Sequence, residues 1–445
     1  MRVDQILIPV AAVGEFLWLS VRSTPVVSLF FVLFCFVGGA ADLAAQAQML
    51  EGDWVRESAG RIDQCRKTGI RVIVLDQNGT AAPEAEVRIE QIRHEFSIGF
   101  CPLGGGWPDV DGHANVWRCF NSLSLEQLTQ WSKLAPKPSG AWVEGDLEPL
   151  VQRAESLGLT LRWGGVVSAD MGRNPSWAGY LKGDQLQTAL ETHLKRVLLR
   201  YGGRIDQFDI YTHSLDHDWI DRELGMSMVR RLYEQAKAAA PRASICVRFE
   251  DIIAVGRMGQ VMQQLQKFEE ALIPIDQIAV ELRIGGLVSQ QPFQRVVDRI
   301  GRLGRDIVVA GLEVGGVGAV GAAINLETVL RTLFAEPGIR GIWYTSLMPS
   351  DSTESSAALF DEEGQPTVVG QIFDALWRNL WWTDEQLTTD ELGNVFTRVF
   401  AGTHQISATL PDKQTLHTTV WLPRSDEERI IVLEPLKSVC SPQDE

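Results

Sequence analysis

Short apolar segments alternate with amphipathic segments from about residue 94 to residue 380, and this alternation limits most strongly what the chain can fold into. Each apolar segment has the length and the β-branched and aromatic content of a buried strand. The eight segments are residues 96–100, 119–125, 159–163, 207–212, 244–249, 277–284, 306–312 and 341–347. Strands that alternate with helices favour a parallel sheet, because each crossover helix returns the chain to the same edge.

The segments between most of these strands have helical periodicity. Apolar residues recur at i, i+3, i+4 and i+7 in residues 146–158, 184–203, 226–241 and 292–304. Eight strands with intervening helices, spread over about 290 residues, match the size and element count of a (β/α)8 barrel. We therefore predict an α/β fold, with a TIM barrel over residues 96–380. The connection after the first strand is glycine-rich and has little helical periodicity.

Shorter β-rich regions flank the predicted barrel. Residues 61–95 contain two alternating segments around Asp76-Gln77-Asn78-Gly79, where the glycine suits the positive φ of a tight turn. Residues 381–445 contain two or three alternating segments, separated by turn residues, and end in an acidic tail. We predict a small β unit on each side of the barrel.

The amino-terminal residues have the anatomy of a secretory signal. Arg22 precedes a continuous apolar run at residues 26–37, and small residues follow at 38–41 and at Ala45 and Ala47, which flank Gln46. The run is shorter than the roughly 20 apolar residues that span a bilayer. We expect residues 1–47 to be a signal peptide and the mature chain to be secreted. The alternative is an uncleaved amino-terminal membrane anchor.

The charge balance limits the expected partners. The chain has 57 acidic and 41 basic side chains, a net charge of −16. Nucleic acids and anionic membrane surfaces both require a basic face, so neither is expected as a partner beyond the amino-terminal segment. The seven histidines have no metal-ligand spacing, and the six cysteines include no CxxC pair. Gly104-Gly105-Gly106 lacks the Lys-Ser/Thr of a phosphate loop, so no cofactor is expected either.

Several sequence blocks, in order along the chain, resemble glycoside hydrolase family 10. They are RHEFSIGFC (93–101), FNSLSLEQLTQWSKLAP (120–136), GLTLRW (158–163), NPSWAGYL (174–181), HLKRVLLRYGGRIDQFDIYTHSLDHDW (193–219), IDQIAVELRI (275–284) and GRDIVVAGLEV (304–314). The resemblance extends from Arg61 to Leu422. Members of this family are mostly endo-β-1,4-xylanases on a (β/α)8 barrel, so it implies a barrel whose ligand is a polysaccharide or an oligosaccharide.

The resemblance also implies where two catalytic carboxylates would lie, and this chain departs from the pattern there. A retaining glycosidase needs an acid/base and a nucleophile about 5–5.5 Å apart. The acid/base position after the fourth strand carries His213, and the nucleophile position on the seventh strand carries Gly311. Other family site positions carry Gln127, Leu128, Gln130, Gly164, Glu281, Arg283 and Thr345. The departures imply impaired or lost glycosidase activity.

Other carboxylates keep an active glycosidase open as an alternative. Glu126, Glu281 and Glu313 lie at or near strand ends, on the face that carries the active site in this fold. Glu281 with Glu313 could act as acid and base of an inverting mechanism, although a salt-bridged structural set is favoured. His213 could donate a proton, but a partnered or ligand-binding histidine is the preferred interpretation.

New positive charges accompany the lost carboxylates. Arg162, Arg248 and Arg283 lie on strands where the resemblance implies apolar or neutral residues. Together with His213 they could bind an acidic glycan, because guanidinium groups bind carboxylate and sulfate in a bidentate manner. Alternatively, the arginines pair with Glu250, Glu281 and Glu313 and fill the site.

Aromatic side chains near the strand ends are candidates for stacking on sugar rings. Flat rings suit the apolar faces of sugars, and barrel packing is the alternative role. The candidates are Trp131, Trp163, Trp177 and Tyr344. Three functions remain open: a polysaccharide-binding protein with impaired activity, an active xylanase-type hydrolase with relocated carboxylates, and a non-catalytic structural or interaction module.

Overall fold

The structure is a computed structural model, and it describes residues 41–101, 114–138, 142–254, 256–351 and 357–435. The apolar run of the predicted signal peptide lies outside these residues. The chain divides into two compact units, Met1–Glu57 and Ser58–Glu445. None of the helices in the described ranges is long and apolar enough to cross a membrane.

The strands and helices follow the predicted alternation. In chain order the strands are β1 (Lys67–Val74), β2 (Glu86–His94), β3 (Ser97–Phe100), β4 (Ser122–Ser124), β5 (Thr160–Trp163), β6 (Val167–Ser168), β7 (Gln207–Thr212), β8 (Ser244–Phe249), β9 (Gln277–Ile284), β10 (Asp306–Val314), β11 (Ile339–Tyr344), β12 (Asp384–Thr388), β13 (Asn394–Phe400), β14 (Gly402–Thr409), β15 (Thr415–Leu422) and β16 (Arg429–Leu433). The helices are α1 (Ala41–Arg66), α2 (Ala114–Arg118), α3 (Glu126–Thr129), α4 (Trp131–Leu134), α5 (Leu147–Ser156), α6 (Gly183–Tyr201), α7 (Trp219–Leu224), α8 (Met226–Ala239), α9 (Arg257–Glu270), α10 (Gln290–Gly301), α11 (Gly318–Phe334) and α12 (Val368–Asp374).

Eight parallel strands close into a barrel. Their order is β5, β4, β3, β11, β10, β9, β8 and β7, and pairing between β5 and β7 closes the ring. The short strand β6 adds to the end of β7. Helices α6, α8, α9, α10 and α11 lie between the later strands and bury apolar residues against the barrel. The predicted (β/α)8 fold is confirmed.

The two flanking β regions join into one two-sheet module. One sheet has the order β13-β1-β16, and the other has the order β12-β2-β14-β15. Their facing sides share an apolar core that includes Val72, Ile89, Val399 and Ile406. The β regions that precede and follow the barrel in sequence therefore fold together.

The turn at residues 76–79 forms as expected. Gly79 has a φ of +76°, and the side chain of Asp76 accepts backbone hydrogen bonds from Asn78 (2.8 Å) and Thr80 (2.9 Å). The strands on its two sides do not form a hairpin, since β1 and β2 belong to different sheets. The local sequence thus determines the turn, but it does not determine which strands pair with β1 and β2.

A buried arginine joins the end of α1 to the barrel. Arg66 is 2% exposed, and it donates hydrogen bonds to the carbonyl oxygens of Phe334 (2.7 Å) and Glu336 (2.6 Å). Its guanidinium also lies 4.8 Å from the ring centre of Phe96. The arginine satisfies carbonyl groups that the end of α11 leaves without helical partners.

Candidate functional site

The residues singled out by the sequence meet at the carboxyl ends of the barrel strands. Glu126 begins α3, directly after β4 and Leu125. Arg248 is the fifth residue of β8, and Glu281 is the fifth residue of β9. Gly311 on β10 is the register partner of Glu281. Parallel strands present their carboxyl ends at one edge, so three side chains converge there beside Gly311.

Arg248 is the centre of a buried ion-pair cluster. Its side chain is 4% exposed, and its Nη1 lies 2.7 Å from Oε2 of Glu126 and 3.6 Å from Oδ2 of Asp209. Its Nη2 donates a hydrogen bond to Oε1 of Glu281. Burial by itself lowers the pKa of Arg248, but these three carboxylates and Glu250 outweigh it and hold that pKa well above its ordinary value.

A second arginine extends the cluster into the barrel interior. Arg162 and Asp209 have fully buried side chains and are joined by a hydrogen bond from Nη2 of the arginine. Nη1 of Arg162 donates to Oε1 of Gln207 at 2.7 Å, and the guanidinium lies 5.2 Å from the ring centre of Trp343. We call Arg162, Arg248, Glu126, Asp209 and Glu281 the mouth cluster.

Two glycines make room for the carboxylates of the mouth cluster. A Cβ atom on Gly164 would lie 2.6 Å from Cβ and 3.0 Å from Cα of Glu126. A Cβ atom on Gly311 would lie 3.4 Å from Cγ and 3.7 Å from Cδ of Glu281. Glu281 therefore lies against the position that the resemblance assigns to the nucleophile. Strand β10 also shifts its register against β9 between Val309 and Gly311.

Glu281 and Glu313, the two carboxylates considered for an inverting mechanism, have different neighbours. Burial raises the pKa of Glu281, but Arg248 outweighs that effect and holds it below its ordinary value. Glu281 is thus an ionised partner of Arg248 rather than a proton donor. Glu313 is buried on β10, and its charge adds to the burial that raises the pKa of Tyr344.

His213 contacts a carboxyl group that the sequence did not pair with it. Its backbone N–H lies 3.2 Å from both carboxyl oxygens of Glu250, and its Nε2 lies 3.6 Å from Oε1. Its Nδ1 is 2.9 Å from the hydroxyl oxygens of both Ser168 and Thr212. The residue has a φ of +61°, an uncommon conformation for a residue with a Cβ atom.

Burial sets the protonation of this pair. Burial, reinforced by Arg173 and Arg248, lowers the pKa of His213 to about 3. Burial raises the pKa of Glu250 to about 8, against the opposing effect of Arg248. At neutral pH the imidazole is therefore neutral and cannot act as a general acid, whereas the carboxyl group of Glu250 is mostly protonated.

The space that remains beside the mouth cluster is small. The described residues enclose a cavity of about 30 Å³, lined by side chains that include Glu126, Trp131, Asn174, His213 and Arg248. One or two water molecules fit such a volume. A sugar ring does not fit unless side chains of the mouth cluster move.

The aromatic candidates and the third arginine lie in different settings. Trp131, Trp163 and Tyr344 are at most 2% exposed, so they present no free face to a sugar. The hydroxyl of Tyr344 donates to the carbonyl oxygen of Ala357 at 3.0 Å. Trp177 is half-buried, and its indole donates to the carbonyl oxygen of Ala135 at 2.9 Å. The side chain of Arg283 is 62% exposed and lies 3.9 Å from Glu281.

Two residues of this region were not singled out from the sequence. Asp209 bridges the two buried arginines, and Tyr180, which is 86% exposed, belongs to the segment that follows β5 and β6. Glu250, expected as a possible partner of the arginines, contacts His213. The signal for Asp209 was present, because a charged residue in the centre of an apolar strand must have a buried partner. No group of three or more His, Cys, Asp or Glu side chains in the described part of the chain could hold a metal ion.

Comparison with known proteins relates this site to one family. The model of "Glycosyl hydrolase family 10" matches residues 93–372. The Anti-sigma-I factor RsgI6 of Acetivibrio thermocellus is 21% identical over 372 residues, which cover 83% of this chain and 49% of that protein. Endo-1,4-beta-xylanase 1 of Arabidopsis thaliana is 20% identical over 378 residues, which cover 83% of this chain and 40% of that protein. The chain thus spans half or less of the length of these two relatives.

Solved structures share the barrel. Xylanase 10B from Thermotoga petrophila RKU-1 in complex with xylobiose superposes with a TM-score of 0.56 at 18% identity, over 64% of this chain and 95% of that one. Native xylanase 10B from Thermotoga maritima superposes with a TM-score of 0.54 at 19% identity, over 64% of this chain and 96% of that one. These similarities establish the common fold.

Proposed function

The chain belongs to glycosyl hydrolase family 10, and on this basis we propose that it is a carbohydrate-binding barrel without glycosidase activity. The mouth cluster is the observation that carries this proposal. Arg248 holds Glu126 and Glu281 in ion pairs at the centre of the strand ends, where a hydrolase of this family would position its sugar. The position that the resemblance assigns to the nucleophile is Gly311, which has no side chain.

The site does not present the complete set of catalytic groups that a retaining glycosidase needs. It needs an ionised carboxylate free to attack the anomeric carbon and an acid that protonates the leaving oxygen. Glu281 is ionised but is hydrogen-bonded to Arg248, and His213 is neutral at neutral pH. Glu250 holds a proton at neutral pH, yet an acid by itself does not form or hydrolyse a glycosyl intermediate.

A carbohydrate ligand is supported by the relatives. Two of the similar proteins are named as endo-1,4-beta-xylanases, and one similar structure contains xylobiose. The Anti-sigma-I factor RsgI6, by contrast, carries a name that is not that of a hydrolase, although the match covers most of this chain. A member of this family that binds a xylan-type chain without cleaving it is consistent with both kinds of relative.

The side chains offered to a ligand lie around the filled centre. Arg283 is 62% exposed at the end of β9, and Tyr180 is 86% exposed in the segment that follows β5 and β6. An aromatic ring can stack on a sugar face, and a guanidinium can bind a uronate carboxylate. We propose a β-1,4-linked xylan as the ligand, with acidic substituents increasing its affinity.

The experiment measures binding and cleavage on one preparation of the full chain. Isothermal titration with xylohexaose and with a glucuronic-acid-substituted oligosaccharide should give saturable binding, which is weaker in Tyr180→Ala and, for the acidic ligand, in Arg283→Gln. Arg230→Gln, on the outer helix α8, is the matched control and should bind normally. If none of the glycans binds, the ligand part of the proposal is wrong and a structural or interaction module is favoured. Release of reducing ends would contradict the loss of activity.

We also propose that the barrel acts outside the cell, where polysaccharides are found. This rests on the apolar run after Arg22 and the small residues that follow it. Mass spectrometry of the protein recovered from the culture medium should find an amino terminus near residue 48. Recovery of the intact chain in a membrane fraction would contradict secretion and favour the anchor.

A further inference from the structure

A cavity of about 460 Å³ lies at the opposite end of the barrel from the mouth cluster. Three segments form its walls: the end of α1 with the start of β1, residues 335–337 between α11 and β11, and residues 424–426 between β15 and β16. The volume falls within the range of about 300–1,000 Å³ that is typical of small-molecule sites. The segments belong to the barrel and to the two-sheet module, so the cavity lies at their junction.

Three basic side chains line this cavity. The side chains of Arg61, Lys67 and Arg424 are 33%, 26% and 20% exposed, so each is partly buried and partly open to the cavity or to solvent. The facing acidic residue of the lining is Asp426. Among the side chains that line the cavity, three are basic and one is acidic, and each of the three basic groups has an acidic neighbour outside the lining.

The two arginines are held only loosely by acidic neighbours. Arg61 lies 3.5 Å from Asp298 and 3.6 Å from Glu336, and Arg424 lies 3.6 Å from Glu95. Lys67 is held more closely, 3.2 Å from Asp63. Charge-assisted hydrogen bonds are typically about 2.7–2.9 Å long. These longer separations leave donor capacity for a ligand, whereas the hydrogen bond from Arg424 to the carbonyl oxygen of Pro337 (3.1 Å) orients its guanidinium.

We propose that this cavity binds a small hydroxylated anion, of the chemical class of sugar acids and sugar phosphates. Arg61, Lys67 and Arg424 would bind the carboxylate or phosphate group. Asp426, Ser425 and Gln64, which also line the cavity, would bind hydroxyl groups. The site is separate from the proposed glycan contacts at Arg283 and Tyr180, so either proposal can fail alone.

Isothermal titration of the full chain tests this site, with glucuronate, glucose 6-phosphate, inorganic phosphate and glucose as probes. One or both of the hydroxylated anions should bind saturably at millimolar concentrations, and glucose should not. Preference for glucuronate or for glucose 6-phosphate identifies the anionic group. Phosphate alone, if it binds as tightly as glucose 6-phosphate, would contradict the role assigned to the hydroxyl contacts.

Variants locate the binding. Arg61→Gln and Arg424→Gln should each weaken binding by roughly tenfold or more, because each removes a hydrogen bond to a charged group. Arg230→Gln, on the outer helix α8, should leave it unchanged. Circular dichroism verifies that each variant is folded, and Arg61→Lys should restore part of the affinity. The proposal is overturned if no anion binds, if glucose binds equally well, or if Arg61→Gln and Arg424→Gln bind the anions as tightly as the native chain.

Discussion

Replacement of Arg248 by methionine tests whether the mouth cluster is a stable structural unit. The substitution keeps much of the side-chain length but removes the guanidinium that contacts Glu126, Asp209 and Glu281. Asp209 keeps Arg162 as an ion-pair partner, so the main effect is that Glu126 and Glu281 lose their ion pairs with Arg248. Removing one member of a buried ion pair typically costs about 3–5 kcal/mol, because the remaining charges stay buried without compensation.

This free energy corresponds to a measurable shift in Tm. At about 2.1 cal/mol/K per residue, a unit of roughly 390 residues, Ser58–Glu445, unfolds with an entropy of about 0.8 kcal/mol/K. A loss of 3–5 kcal/mol then lowers Tm by about 4–6 °C. Differential scanning calorimetry measures both the shift and the unfolding enthalpy.

The shift should depend on pH in a defined direction. In the native protein Arg248 outweighs burial and lowers the pKa of Glu281, so this ion pair stabilises the fold above the ordinary pKa of glutamate and is lost as pH falls through the lowered value. Without Arg248, burial raises the pKa of Glu281, and the folded state takes up a proton more readily than the unfolded state. The difference in Tm should therefore be largest at neutral pH and smaller near pH 4.

Two further variants make this prediction specific. Arg283→Met removes an exposed cation near the same glutamate and should shift Tm by less than about 1 °C. Adding Glu126→Gln and Glu281→Gln to Arg248→Met should restore at least half of the lost stability, because no unpaired charge remains there. Equal shifts for Arg248→Met and Arg283→Met would refute the reasoning.

Two further predictions concern the neighbours of the mouth cluster. Gly164→Ala should lower the free energy of unfolding, measured in urea, by about 1–3 kcal/mol, because its Cβ would lie 2.6 Å from Cβ of Glu126. Gly311→Ala should lower it by less than about 1 kcal/mol, because the nearest atom to its Cβ would be 3.4 Å away. Equal losses for the two variants would contradict the contact geometry. Burial raises the pKa of Glu250 to about 8, so the native protein should lose stability relative to Glu250→Gln as pH rises from about 5 to above 8, because the unfolded chain releases that proton at a lower pH. Urea unfolding at several pH values measures this, and a difference that is independent of pH would be inconsistent with it.

Local sequence pattern was sufficient to predict the barrel. The predicted bounds of β8 and β9 agree with the structure, since both strands are short, mostly apolar segments with helices on either side. The helices α6 and α8 were also predicted to within a few residues, because their buried positions follow the helical repeat. Closure of the ring follows from the number of strands and the right-handed crossovers.

The two-sheet module could not be predicted in the same way. Strand β1 pairs with β13 and with β16, from regions more than 300 residues away in the chain. An alternating pattern indicates a strand and its buried face, but not its partner. The sequence therefore predicted both β regions but not that their strands pair with each other in one module.

The mouth cluster was predictable only in part. The possibility that Arg248 pairs with Glu281 could be stated from sequence, because both lie at the ends of adjacent strands. The contacts with Glu126 and Asp209 depend on side-chain direction and on the space left by Gly164, which a single sequence does not reveal. The burial that separates the pKa values of His213 and Glu250 likewise arises only in the folded chain.

The loss of glycosidase activity is tested most directly by product analysis. The purified full chain is incubated for days with xylohexaose and with glucuronic-acid-substituted xylan, and released oligosaccharides are quantified by mass spectrometry beside a protein-free control. Glu281→Gln and Glu250→Gln are analysed in parallel. Glu281 lies beside Gly311, at the position of the family's nucleophile, and Glu250 lies beside His213, at the position of its acid/base. We predict no product above the control for any of the three proteins. Release of shorter xylo-oligosaccharides by the native chain, abolished in either variant, would contradict this account.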